Sequence, residues 1–239
     1  MTPPSRAVLF DAAGTLLLFR EPVGETYQRF ALDFGVDVPA ARITEAFIRV
    51  ISRAERMVFP DAPVEQRPSL EREWWWQLVR STFRAADSTA IFSDFEAYFD
   101  RLWLHYAGRA AWYLAPGARA ALAALRSRGV PTGIVSNFDH RLPYILQDLE
   151  ILHYFETVTI PSETGAAKPD RLIFEVALQA LAAREGARRL SRPAVYVGDR
   201  AVEDVAGARE AGLVPIQVGS LATLEELPAR IDALELDLQ

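Results

Sequence analysis

Apolar and polar positions follow two periods along this chain, and the switch between them separates its parts. Val8 to Phe10 is an unbroken apolar run closed by the carboxylate of Asp11. A run with no polar alternation predicts a strand buried on both faces, as in parallel sheets. Further strands are expected at 130–135, 157–160, 194–197 and 213–218. Between the first run and the rest, residues 25 to about 110 carry the helical period instead. Tyr27, Phe30, Ala31 and Phe34 form one stripe, stopped by Gly35, and Ile43, Phe47, Val50, Ile51 and Ala54 form a second. Prolines at 60, 63 and 68 predict a loop, after which Ser69 is a candidate cap for a third helix. A fourth helix is expected over 92–106. In the third, successive residues rotate by about 100°, so Trp74, Trp75 and Trp76 cannot share one narrow face. Trp74 and Trp75 are expected on the buried stripe with Leu70, Leu78 and Val79, and Trp76 at its rim.

From residue 114 onward, strands alternate with helices. Pro116 and Gly129 bracket a helix over 117–128, another follows to about 149, and Ile173, Phe174, Ala177, Leu178 and Leu181 mark a third. A fourth ends at Gly212. This grammar predicts an α/β fold with a parallel sheet covered on both faces. The expected division is a core of 1–18 and 114–239, with a helical insertion at 19–113.

Composition narrows the chemistry. Half of the 239 residues are hydrophobic, enough for a sizeable core. There is no cysteine, which removes disulfides, thiolate metal sites and cysteine nucleophiles. No apolar run reaches about 18 residues, and the N-terminus has no signal-type apolar stretch, so a cytoplasmic protein without membrane contact is expected. The net charge of −6 argues against nucleic acid as a partner. Of 26 Lys and Arg residues a single one is lysine, Lys168, which points to a specific task for it.

Polar residues interrupt the apolar pattern at equivalent places. Asp11, Ser136 and Asp199 each stand just past a strand, and Lys168 follows a fourth. In a parallel sheet these ends share one edge, where ligands bind. Gly14 permits a tight turn after Asp11. Asp11 is then a candidate nucleophile, and Asp199 and Asp204 add carboxylates suited to Mg²⁺, a cation that prefers oxygen. Ser136 can donate a hydrogen bond to an anionic oxygen, and Lys168 supplies a point charge.

These residues resemble the four motifs of the haloacid dehalogenase superfamily of hydrolases. F-D-x-x-G-T-L over 10–16 resembles the first motif, Ser136-Asn137 the second, Lys168-Pro169-Asp170 the third, and Gly198-Asp199 with Asp204 the fourth. The resemblance implies a Rossmann-like core with the α-helical cap of subfamily I over 19–113. It implies that Asp11 forms an aspartyl-phosphate and that Ser136, Asn137 and Lys168 bind phosphate. It assigns Mg²⁺ to Asp11, Asp199 and the backbone carbonyl of Ala13, with Thr15 and Asp204 in support.

One position departs from the pattern. Phosphatases of this superfamily carry an acid two residues after the nucleophile, and Ala13 stands there. General acid–base help of that kind is worth about 10²–10⁴-fold. A similar lack is found in the branch of haloacid-dehalogenase-like hydrolase-domain proteins. The expected function is Mg²⁺-dependent hydrolysis of a small phosphorylated molecule by a monomer or homodimer, limited in rate or scope by Ala13. The alternatives are a catalytically impaired protein that binds Mg²⁺ or a phosphorylated ligand, and a 2-haloacid dehalogenase-type hydrolase. Asp139, His140 and Glu21 are candidate substitute acids; Arg20, Tyr27 and Trp76 are candidate substrate contacts.

Overall fold

The computed structural model describes residues 7–184 and 193–236. Its strands are β1 (Val8–Phe10), β2 (Leu17–Phe19), β3 (Trp112–Leu114), β4 (Thr132–Val135), β5 (Thr157–Thr159), β6 (Val195–Gly198) and β7 (Val214–Gln217). Five of them form one parallel sheet in the order β5-β4-β1-β6-β7. The fold is the α/β, Rossmann-like class expected. Its central strand is the first in sequence, and Leu9 lies opposite Gly133 on one side and Tyr196 on the other. All three β1 side chains are fully buried, which explains the unbroken apolar run.

The described residues fall into two compact units. One holds 7–18, 58–60, 114–184 and 193–236, and the other 19–57 and 61–113. The parallel sheet belongs to the first. Leu9, Val135 and Tyr196 there share a buried cluster with Ile173, Phe174, Ala177 and Leu181 of the helix Arg171–Arg184. The second unit contains the helices Val23–Leu32, Ala40–Ile51, Arg67–Ala86 and Phe95–His105. Its core is aromatic: Phe83 meets Phe92 at 4.9 Å and Tyr98 at 5.5 Å between ring centres. Tyr27 lies in this core and is 3% exposed, so packing accounts for it rather than contact with a substrate.

Several local expectations change. The third helix begins at Arg67, with Pro68 in its first turn and Ser69 inside it. Proline fits there because the first helical N–H groups have no intrahelical partner to lose. The fourth begins at Phe95, where the Asp94 carboxylate accepts from Ala97 N at 3.0 Å. Trp75 and Trp76 pack against the core of the second unit, on a stripe that continues through Val79, Phe83 and Ala86. Trp74 instead stands edge-on to Trp75, its indole N–H donating to the Glu55 carbonyl. Outside the parallel sheet, β2 pairs with β3. Among the described residues, no helix is long and apolar enough to cross a membrane.

Candidate active site

The ladder beside β1 runs one residue further, Asp11 N donating to Val197 O at 2.8 Å. That bond fixes the backbone from which the Asp11 side chain leaves the sheet. The chain then turns around the Ala12 carbonyl, which accepts from the N–H groups of Thr15, Leu16 and Leu17. Gly14 completes the turn at φ +91°. A Cβ on Gly14 would lie 2.6 Å from Asp199 Oδ2, so glycine is also what lets Asp199 come close.

Lys168 is the hub. It is 3% exposed, and its ammonium donates to Asp11 Oδ1 at 2.7 Å, Asp204 Oδ1 at 2.6 Å and the Tyr196 hydroxyl at 2.8 Å. The Asn137 side chain clamps the Lys168 backbone from both sides, accepting from its N–H at 2.7 Å and donating to its carbonyl at 2.9 Å. Ser136, anchored by Ser136 N to Thr159 O at 3.1 Å, lies near enough to the Asp11 carboxyl to oppose the rise in its pKa. Asp204 sits in a wide helical turn, Ala201–Ala206, where an ordinary helix was expected. Its Oδ2 accepts from Arg200 N at 2.9 Å. A Cβ on Gly198 would lie 2.4 Å from Asp204 Cγ, so this glycine too is a close-approach position.

The electrostatics follow from this packing. Burial disfavours the Lys168 charge, but Asp11 and Asp204 outweigh it and hold the ammonium above its usual pKa. Burial also pushes the Asp11 carboxyl up, opposed by Lys168 and Ser136. Asp199 is pushed up to about 6, first by burial and then by the charges of Asp11 and Asp204. Its Oδ1 is buried and accepts no hydrogen bond among the described residues. Asp11, Asp199 and Asp204 each offer an oxygen within 4.8 Å of the others. A crowded, oxygen-only donor set with an orphaned buried oxygen fits Mg²⁺. Asp11 and Asp199 have oxygens to give it; Asp204 is spent on Lys168 and Arg200.

The structure thus brings together Asp11, Ser136, Lys168, Asp199 and Asp204. It also shows what holds Lys168 and Asn137. The Lys168 ammonium has its three N–H donors on Asp11, Asp204 and Tyr196, and the Asn137 side chain holds the Lys168 backbone with one of its two amide N–H groups. Thr15 is buried, and its hydroxyl has no partner among the described residues. Asp139 is fixed by a two-pronged pair with Arg141 at 2.8 and 2.6 Å, so it is not a free acid. Glu21, in the second unit, is held below the usual carboxylate range by its hydrogen bond to Arg29, the wrong direction for a proton donor. Arg20 donates to the Arg109 carbonyl. Tyr196 was missed. Its signal was a hydroxyl inside the apolar run Val195-Tyr196-Val197, where a buried tyrosine needs a polar partner.

The sheet order and the convergence of charged side chains at its strand ends place the protein among parallel α/β proteins with a Rossmann-like core. Within that class the chain belongs to the haloacid dehalogenase-like hydrolases, whose family model matches residues 5–212. It is therefore a hydrolase. It is 34% identical over 213 residues to haloacid dehalogenase-like hydrolase domain-containing protein 3 of Mus musculus, covering 87% of this chain and 79% of the relative. Solved structures share the fold. A HAD phosphatase from Thermococcus onnurineus matches with a TM-score of 0.58 and 23% identity over 95% of this chain and 97% of its own. A 2-haloacid dehalogenase from Pseudomonas syringae pv. tomato DC3000 matches with 0.59 and 20% over 96% and 98%.

Proposed function

We propose that the protein is a Mg²⁺-dependent phosphohydrolase in which Asp11 is the nucleophile. The neighbouring structures include both a phosphatase and a dehalogenase, so the choice rests on this chain's own site. The observation that favours phosphate is the trio Asp11, Asp199 and Asp204 with an orphaned Asp199 oxygen. Three crowded carboxylates call for a cation, and they repel a bare haloacid carboxylate. Mg²⁺, held by Asp11, Asp199 and the Ala13 carbonyl, would supply positive charge against the phosphoryl oxygens.

Lys168 holds Asp11 Oδ1, which leaves the other carboxylate oxygen to attack phosphorus. A new O–P bond forms as the bond to the leaving group breaks, and the leaving group departs with the electron pair. Water then cleaves the aspartyl-phosphate, returning Asp11 and inorganic phosphate. The methyl of Ala13 can protonate neither the leaving group nor accept a proton from that water. The substrates that suit this site are acyl and aryl phosphates, whose leaving groups need little protonation. The same proposal covers a cytoplasmic monomer or homodimer working on a small molecule, without nucleic acid or membrane.

The test is phosphate release from a panel of acyl, aryl and alkyl phosphates, with Mg²⁺ and with EDTA, for the wild type, Asp11→Asn and Ala13→Asp. Turnover that needs Mg²⁺ and disappears in Asp11→Asn supports the proposal. Halide release from a 2-haloacid without phosphate release from any ester would overturn it.

A further inference from the structure

We propose that Tyr196 is a positioning residue that locks the Lys168 ammonium against Asp11. An ammonium has three N–H donors and no acceptor. Asp11 and Asp204 take two, and the Tyr196 hydroxyl, at 2.8 Å, takes the third. The hydroxyl can accept because its own proton has another destination. It donates to the Val135 carbonyl at 2.8 Å, with Asp204 Oδ1 at 3.1 Å as the longer alternative.

The arrangement has a geometric consequence. With two acceptors an ammonium can still rotate and offer its third N–H elsewhere. With three it is fixed, and Asp11 Oδ1 is fixed with it. The ring itself is set independently. Tyr196 stands opposite Leu9 in the sheet and packs edge-on against Phe174 at 5.2 Å. The hydroxyl is therefore carried by a rigid strand, as pre-organised catalytic geometry requires. Within the site the division of labour becomes plain. Lys168 aims the nucleophile, and stabilising the phosphoryl charge is left to other groups.

This inference rests on the reading of Asp11 as the nucleophile, so its test has an arm that does not depend on turnover. Lys168 is the single lysine of the chain, so protein labelled with [¹⁵N]lysine gives one side-chain Nζ signal. In the wild type, with Mg²⁺ present, that NH₃⁺ signal is expected to be sharp and slow to exchange with water, because buried, bonded donors are protected. Tyr196→Phe keeps the ring and removes only the hydroxyl, the acceptor for Lys168 and the donor to the Val135 carbonyl. It should speed exchange until the signal broadens away, while the thermal midpoint holds within a few degrees. On a phosphate ester that the wild type hydrolyses, kcat should fall roughly tenfold with KM nearly unchanged, the mark of an interaction used in the transition state.

The proposal is overturned if the Tyr196→Phe signal matches that of the wild type, or if kcat is unaltered. It is equally overturned, without any variant, if the wild-type signal exchanges as fast as that of free lysine. If no phosphate ester is hydrolysed by the wild type, the phosphohydrolase reading falls, and the Nζ signal alone decides for or against Tyr196.

Discussion

Asp199 carries the clearest electrostatic signature at the residue scale, because its carboxyl is raised to about 6 by burial and by two neighbouring carboxylates. The sign of its effect on stability follows. Folding favours the protonated form, so the contribution of Asp199 is fully present below its unfolded value of 3.8 and is lost as pH rises to about 6. Above that pH the ionised group opposes the fold until a cation joins it. Asp199→Asn should therefore raise the thermal midpoint at pH 8 without Mg²⁺ and leave it nearly unchanged at pH 4. The same variant should lose most of the midpoint increase that Mg²⁺ gives the wild type. Thermal melts at both pH values, with and without Mg²⁺, check this; a fall at pH 8 without metal would contradict it. Asp11 and Asp199 were readable because each stands as a polar residue where an apolar run stops, and Lys168 because it is the single lysine of the chain. Tyr196 was not, because an aromatic in a strand reads as ordinary β preference, and its hydroxyl gains meaning only once Lys168 is brought across from residues distant in sequence.

At the element scale, the tight turn after β1 is where backbone and site meet. Gly14→Ala must bear a φ of +91° and a Cβ 2.6 Å from Asp199 Oδ2. Gly35→Ala, at φ +80° with open space around its Cβ, bears the backbone strain alone, roughly 1–2 kcal/mol. Gly14→Ala should then lower the thermal midpoint further than Gly35→Ala and blunt the Mg²⁺ response, which Gly35→Ala should leave intact. Equal effects of the two variants in the melts would remove the structural role given to the Asp199 contact. The central strands β4, β1 and β6 were legible because strands buried on both faces show little alternation. The β2–β3 pair was not: each strand has three residues, and the two lie far apart in sequence, so a local pattern cannot encode their pairing. The start of the third helix was misread because proline serves both to end loops and to open helices.

For the molecule as a whole, the fold class and family follow from residues spread from Asp11 to Asp204, so no single segment carries them. Substrate choice is different, since Ala13 removes a function rather than adding one. The account predicts a ranking by leaving group. Rates should rise steeply from alkyl to aryl to acyl phosphates in the wild type, and Ala13→Asp should flatten that slope by restoring a proton donor, with a gain on alkyl esters of up to about 10²-fold. A panel assayed at fixed Mg²⁺ reads both slopes; equal slopes would mean that position 13 has no bearing on the leaving group. The most direct measurement is intact-protein mass spectrometry after rapid acid quench of the wild type with Mg²⁺ and an acyl phosphate. With Ala13 unable to activate water, the aspartyl-phosphate should accumulate. The account predicts a mass gain of one phosphoryl group on the protein, diminished in Ala13→Asp and absent in Asp11→Asn. Steady phosphate release with no such adduct, or an adduct that persists in Asp11→Asn, would contradict the central role given to Asp11.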